Sequence, residues 1–551
     1  SHKFRFAIDF GTTNTHIEYS VDGSTSSNPF DITEKDMQIQ KLHITDDYMI
    51  NDVFNSDFIP ATIGGESLYG YPMRTVISES NNTNWDKAVL AMANVNIPYT
   101  YEKSLSLPYN VLHTDLKWST NTEDKKRASK YIESILLMLR TKVLLNNGDL
   151  SKTEIVWFYP ASMTQNRFNK FKAEWENTFA TLFGAPISNI IAASESVAPY
   201  YYHKAKKGAT STVVSVDIGG GTTDVLIVDK GEPKYLTSFR FAANTIFGDG
   251  YSYDSDSNGF VNKYKDIITN QLETNNLRGL KAVLKSVLDK RVSTDVIAFL
   301  FSLASNKEIK KEKVEINFAK MLADDNRGKY VVILFYVAIV YHIAKLMKAK
   351  GFDMPRHMTF SGNGSKVLNI LSTNDATLVR LTKIIFEEIY AQSYSIDGLD
   401  IIRPANSKES TCKGGIILTP FQSQDYGEIK DMKTILIGTD NEKFADVHMT
   451  YNDVTEADLD SVVDVIKEYI EFTFKLDKKF SFYDNFDVDR SIMNKVKDLC
   501  YRDIRTYLEN GLAIKKSEIA QDGADDNLEE TLFFYPLVGI INAVVRNIYQ
   551  M

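Results

Sequence analysis

The residues best suited to chemistry are two loops built alike, Asp9-Phe10-Gly11-Thr12-Thr13-Asn14 and Asp217-Ile218-Gly219-Gly220-Gly221-Thr222-Thr223-Asp224. Each lies between apolar β-type runs, Phe4 to Ile8 and Ile17 to Val21 for the first, Thr212 to Val216 and Val225 to Val228 for the second. Each therefore reads as strand, tight turn, strand. Glycine permits positive φ and leaves no side chain between backbone amides and an anion, so successive N–H groups can converge on phosphate oxygens. Threonine hydroxyls add donors. The leading aspartates would repel phosphate by themselves and make sense as partners of a hydrated divalent cation, since magnesium is commonly shared between carboxylates and substrate phosphates. One such loop alone describes an ordinary glycine-rich turn; the repeat points to duplicated halves.

A third segment, Thr359-Phe360-Ser361-Gly362-Asn363-Gly364-Ser365-Lys366, follows in the order of the phosphate-1, phosphate-2 and adenosine motifs of the actin, sugar kinase and heat-shock chaperone ATPase superfamily, which the chain resembles over roughly residues 4 to 420. The resemblance is closest to the nucleotide-binding domain of DnaK-type (Hsp70-like) chaperones. Within Ile187 to Lys204, Ala193-Ser194-Glu195-Ser196-Val197-Ala198 resembles their first interdomain helix, and Glu409 to Gly415 their second connecting helix. Ile155 to Ala161 is similar to the strand before the chaperone proline switch, with Pro160 as the switch residue and Arg167 as its arginine partner. Two departures stand out: Arg74 occupies the Gly-x-x-x-Lys context of the chaperone lysine, and Lys366 replaces the arginine near adenine, with Asn363 between the glycines.

The resemblance implies an α/β, two-lobed actin-like ATPase fold: duplicated ribonuclease H-like lobes around a nucleotide cleft, with inserted subdomains and a mainly helical C-terminal extension. Lobe I would span 1–205 with an insertion at about 23–128, lobe II 206–403 with a helical subdomain at about 257–350; 404–420 would form a connecting helix returning to lobe I, and 421–551 the extension. ATP or ADP with Mg²⁺ would be the cofactors. Asp9 and Asp217 would hold the metal, mostly through water. Gly11, Thr12, Thr13, Asn14, Gly219, Gly220, Gly221, Thr222, Thr223, Gly248, Gly362, Asn363, Gly364, Ser365 and Lys366 would contact the nucleotide. Glu195 or Asp224 would orient the attacking water, Arg74 would offset developing charge, and Thr222 would join the catalytic residues through its contacts with the β- and γ-phosphates. Because positioning and electrostatics supply most of the catalysis in such sites, exchanging a lysine for a planar arginine fork bears on hydrolysis more than on binding.

Composition agrees with a soluble globular class: 43% hydrophobic and 25% charged residues. The net charge of −9 gives no electrostatic reason for nucleic acid or anionic membrane as partner. Cys412 and Cys500 are far apart and lack metal-ligand spacing. The apolar run from Tyr330 to Met347, interrupted by Tyr336, Tyr341, His342 and Lys345, reads as a buried helix ahead of the third glycine segment rather than a membrane span. Cytoplasm is the expected location.

Helical spacing is expected over Ala128 to Leu145, stopping at Asn146-Asn147-Gly148, over Asn166 to Phe183, and near 455–475, 488–510 and 527–550 after a few short strands. A DnaK-type chaperone would continue into a peptide-binding β-sandwich, which this helical patterning does not suggest. Asp254 to Gly259 matches half of a calcium loop but has Lys265 where a bidentate glutamate belongs, so a solvated turn is the expectation. Pro199 to His203 reads as packing of a helix end. Three functional classes stay open: a chaperone-like ATPase switch with a protein client, an actin-like filament ATPase, and a sugar- or acetate-type kinase.

Overall fold

The run Phe4-Arg5-Phe6-Ala7-Ile8-Asp9-Phe10 alternates large aromatic and aliphatic side chains with smaller or polar ones, and it forms β1 (Phe4–Phe10), paired antiparallel with β2 (Asn14–Val21) from Phe4 opposite Val21 to Phe10 opposite Thr15. The computed structural model describes residues 1–38, 59–67, 69–99, 110–119, 121–207, 211–395, 398–404, 407–418, 435–437, 444–445, 449–522 and 527–551. They divide into two units, Ser1–Gly208 with Asn406–Glu428, and Ala209–Ala405 with Ile429–Met551.

In the first unit, β3 (Asn28–Pro29), β4 (Met73–Arg74), β8 (Glu154–Tyr159) and β9 (Ile190–Ser194) join β1 and β2 in a sheet of order β3-β2-β1-β8-β9, with β4 also on β2. β1, β8 and β9 run parallel. Phe4, Phe6, Ile8 and Phe10 meet Tyr131, Ile135, Leu139 and Trp175 in one core, with Trp157 stacked on Trp175 at 5.7 Å. The helices beneath this face are Thr122–Leu145, capped by Asn121, and Gln165–Phe183, capped by Thr164 and closed at Gly184 with φ 61°. A small sheet of β5 (Ile77–Ser80), β6 (Val95–Asn96) and β7 (Asn110–His113) lies within the expected insertion; residues 39–58 and 100–109 of that stretch lie outside the described residues.

One expectation is corrected here. Ala193 to Ala198, which resembles the first interdomain helix, is only partly helical: Ala193 and Ser194 end the strand Ile190–Ser194, which pairs with β8 from Ile155 opposite Ile190 to Tyr159 opposite Ser194, and the helix begins only at Val197 and runs to Lys207. β-branched Ile190 and Ile191 suit a sheet edge, and Pro199 fits a helix's first turn. The Ser407–Ile417 helix returns to pack on the Val197–Lys207 helix and on β1 and β2. There Gly414 makes the close approach: a Cβ would lie 1.8 Å from the Ala198 carbonyl oxygen.

The second unit repeats the plan. β10 (Val213–Ile218), β11 (Thr223–Asp229), β12 (Glu232–Phe239), β13 (His357–Ser361) and β14 (Asp400–Ile402) order as β12-β11-β10-β13-β14, antiparallel across the first three and parallel from β10 to β14. Both sheets thus carry one connectivity, the duplicated α/β plan that the paired loops imply. The Lys329–Ala349 helix is core, with 94% of its most apolar window buried. A final pair of short strands, β15 (Ile435–Leu436) and β16 (Phe444–Ala445), precedes the C-terminal helices; residues 419–434 lie outside the described residues.

Those helices belong to the second unit. The Tyr469 hydroxyl of the Glu456–Phe480 helix donates to Leu334 O at 2.6 Å, and Phe534 stacks on Phe239 with centroids 4.0 Å apart. The Arg240 guanidinium grips Glu518 at 2.7 and 3.0 Å, and its backbone N–H donates to Glu530. His342 stacks against Phe533, and burial pushes its pKa down to about 3. A histidine that titrates near 6.5 when unfolded and near 3 when folded leaves stability intact above pH 6.5 and removes it as pH falls toward 3, by up to about 1.4 kcal/mol per pH unit. His342→Phe should therefore flatten the acid side of the urea-unfolding profile; a parallel pH dependence in variant and wild type would rule the histidine out.

Candidate functional site

In both units the candidate residues sit at the carboxyl ends of the parallel strands, the edge at which open α/β sheets bind ligands. In the first unit β1 ends into the loop, where Gly11 N–H donates to Asn14 O at 3.1 Å, and Thr75 fastens the turn by donating its N–H to Thr13 O and its hydroxyl to Gly11 O, both at 2.8 Å. Asp9 is buried opposite His16 in the register. β4 lays Arg74 directly opposite Asn14, one strand away from the loop. Glu195 follows β9, with its N–H donated to Tyr159 O at 3.0 Å, so the same edge carries Asp9, the Gly-Thr turn, Arg74 and Glu195.

Two residues here were not singled out from the sequence. The buried Lys117 ammonium pairs with the Glu195 carboxylate, and the Trp118 indole N–H donates to Thr12 Oγ1 at 2.9 Å. They follow β7 on the turn opened by Asp115, whose φ is 59°. Arg167 serves this turn: its guanidinium donates to Trp118 O at 2.5 Å and lies over the indole, 5.7 Å from the ring centre. Leu116-Lys117-Trp118 carries no motif or periodicity, and only the fold links it to a loop so distant in sequence.

In the second unit Gly219 N–H closes the turn on Thr222 O at 2.9 Å, while Ala243 and Asn244, opening the Ala243–Phe247 helix, donate to Gly219 O and Gly220 O at 3.2 and 2.8 Å. Asp217 and Asp224 are buried at directly opposed register positions, and Asp217 also lies beside Ser361 of β13. The third glycine segment closes over this loop. Gly362 has φ 80°, and a Cβ there would lie 2.2 Å from Asp217 Oδ1; a Cβ on Gly364 would lie 2.1 Å from Gly219 O. Only glycine allows that approach. Asn363 to Lys366 lie on the short 3-10 helix Asn363–Val367, with Lys366 exposed.

Three of the expected residues also tie the loops to their surroundings. The Thr223 hydroxyl donates to Phe241 O at 2.6 Å, the Ser365 hydroxyl to Gly362 O at 2.7 Å, and the Gly248 N–H to Asn244 O at 2.7 Å. Asp249, next to Gly248, is lifted above its ordinary pKa by burial, against a hydrogen bond from Ser293. The Asp254 to Gly259 stretch builds a helix start: Asp254 accepts from Asp256 N, and Asn258 caps the Gly259–Thr274 helix while donating to Phe247 O and Gly248 O.

Among the described residues no three His, Cys, Asp or Glu side chains come together as a metal site. A cation would therefore draw on one or two carboxylates, waters and phosphate oxygens, which is how magnesium binds. Each unit by itself carries donors of that kind: buried Asp9 with the hydroxyls of Thr12 and Thr13 in the first, and buried Asp217 and Asp224, opposed across β10 and β11, with Thr222 in the second.

No protein-family model matches the sequence, and no curated protein matches it. Among solved structures the chain is similar to the ethanolamine utilization protein EutJ from Carboxydothermus hydrogenoformans, with 9% identity, 76% of this chain and 90% of that chain covered, and a TM-score of 0.34. It is also similar to MreB5 of Spiroplasma citri, bound to ADP (12% identity, 77% and 98% covered, TM-score 0.32) or to AMPPNP (12%, 77% and 98%, 0.34). At such identities and TM-scores the fold assignment rests on the strand order and register above.

Proposed function

We propose that this protein binds Mg-ATP and hydrolyses it slowly to ADP and phosphate, using the nucleotide as a chaperone-like conformational switch. The observation that carries the reading is the repeat of one device in two sheets of one connectivity: a buried aspartate near the end of the first strand, then a Gly-Thr turn whose first glycine amide closes the turn. The amides of Thr12, Thr13, Gly220, Gly221 and Thr222 would meet phosphate oxygens. Asp9 and Asp217 would hold magnesium through its waters; the ion supplies charge neutralisation of the phosphates.

The chain's own groups do the rest. Lys117 fixes the direction of the Glu195 carboxylate, which would orient the attacking water, while Arg74 would offset charge beside the loop. Loop contacts to the γ-phosphate that vanish on hydrolysis are the kind of change that moves a bistable element. Calorimetric titration with Mg-ATP and single-turnover hydrolysis test the reading together. Binding in the micromolar-to-millimolar range is expected. Glu195→Gln should keep that affinity while slowing hydrolysis by about 100-fold, the scale of losing one group that acts in the transition state. No binding by the wild type would end the proposal; hydrolysis driven by added sugar or carboxylate would reassign the protein to the kinases.

A further inference from the structure

We propose that Trp118 is a positioning residue for the nucleotide: by donating its indole N–H to Thr12 Oγ1 it leaves the Thr12 hydroxyl hydrogen for a phosphate oxygen. The proposal rests on the nucleotide reading above. A threonine hydroxyl can either accept or donate to any one neighbour, and it has a single hydrogen. Indole nitrogen is a donor only, so across the 2.9 Å contact Thr12 must be the acceptor. The ambiguity that usually attends a hydroxyl is removed before a ligand arrives, and the loop meets phosphate with its donor already assigned. Preorganised donors of this kind add to binding because no reorientation is needed on contact.

The indole is itself firmly held. Trp118 is 9% exposed, its backbone N–H closes the turn on Asp115 O at 3.1 Å, and its backbone carbonyl accepts from the Arg167 guanidinium at 2.5 Å. Arg167, 5% exposed, begins in the first turn of the Gln165–Phe183 helix, where Thr164 caps its N–H at 3.4 Å, and lies over the indole face. The following residue, Ser119, is tied to Asp124 at 2.6 Å. Lys117, preceding Trp118, pairs with Glu195. One short turn therefore serves the loop and the candidate water-orienting carboxylate together.

A double-mutant cycle on the full chain reads this directly. Trp118→Phe keeps an aromatic ring under Arg167 and removes the donor together with part of the buried indole, the lost packing being read by the adenosine control. It should weaken Mg-ATP and Mg-ADP by about fivefold, the value of one hydrogen bond, while adenosine, which has no phosphate, binds as before. Thr12→Val should weaken the nucleotides at least as much, and Trp118→Phe in that background should add nothing. Full penalties adding in the double variant, equal losses for adenosine and ATP, or unchanged ATP affinity in Trp118→Phe would each overturn the proposal. Failure of the wild type to bind ATP would instead overturn the nucleotide reading beneath it. Should Trp118→Phe not fold, the indole ¹⁵N–¹H resonance of Trp118 in the wild type must shift on saturation with Mg-ATP, and Thr12→Ser must retain the affinity that Thr12→Val loses; a stationary resonance would refute the link.

Discussion

Asp9→Asn is expected to remove nearly all of the stabilisation that Mg-ATP confers on the protein. At a ligand concentration about 100 times Kd, binding adds about 2.7 kcal/mol to unfolding free energy. The substitution preserves size at a buried position of β1 opposite His16, and the effect is read as the difference between each protein's thermal midpoints with and without Mg-ATP. What it removes is one negative charge where the phosphates' magnesium would sit. If Mg-ATP affinity falls about 100-fold, the same concentration leaves only about 0.4 kcal/mol. Single-turnover hydrolysis should fall by at least 100-fold, as expected when charge neutralisation around a transferring phosphoryl group is lost. Wild type in excess EDTA should behave like the variant. Equal Mg-ATP stabilisation of the two proteins would remove Asp9 from the metal site.

Gly414→Ala should cost the first unit about 3 kcal/mol or more, the upper end of overpacking penalties, because the clash is with backbone. The added methyl would stand 1.8 Å from the Ala198 carbonyl oxygen and 2.3 Å from its carbon, neither of which can turn aside as a side chain would. Moving the Ser407–Ile417 helix outward would also open its contacts with β1 and β8, where a Cβ on Gly415 would already be 2.4 Å from the Phe158 ring of β8 and 3.2 Å from Ala7 Cβ of β1. All four tryptophans, Trp85, Trp118, Trp157 and Trp175, belong to that unit, so their fluorescence during urea unfolding isolates its transition. The same substitution at Gly279, in the Arg278–Asp289 helix with nothing within 4 Å of the added atom, should gain up to about 1 kcal/mol. A wild-type urea midpoint in Gly414→Ala would mean that the two helices part without cost.

What was legible in the sequence was local. The hairpins declare themselves because Phe4 to Ile8 and Thr212 to Val216 are strand-forming runs broken by Gly-Thr turns, and the helix expected over Asn166 to Phe183, observed as Gln165–Phe183, because its pattern is amphipathic. Ala193 and Ser194 resemble the start of an interdomain helix in residue type, and it is the pairing with β8 that makes them the end of a strand. Lys117 and Trp118 were unreadable for another reason. Their roles exist only through Glu195 and Thr12, which the chain brings near by way of β1, β7 and β9.

The return of the Ser407–Ile417 helix into the first unit sets a schedule for biosynthesis. A ribosome adding about 5–20 residues per second needs on the order of 10–40 s to make the stretch between Gly208 and Asn406. Throughout that interval the β1 and β2 surface with buried His16 and Glu18, and the flank of the Val197–Lys207 helix, wait uncovered for a piece not yet synthesised. The nascent chain therefore presents a defined, half-finished face to whatever holds it at the exit tunnel.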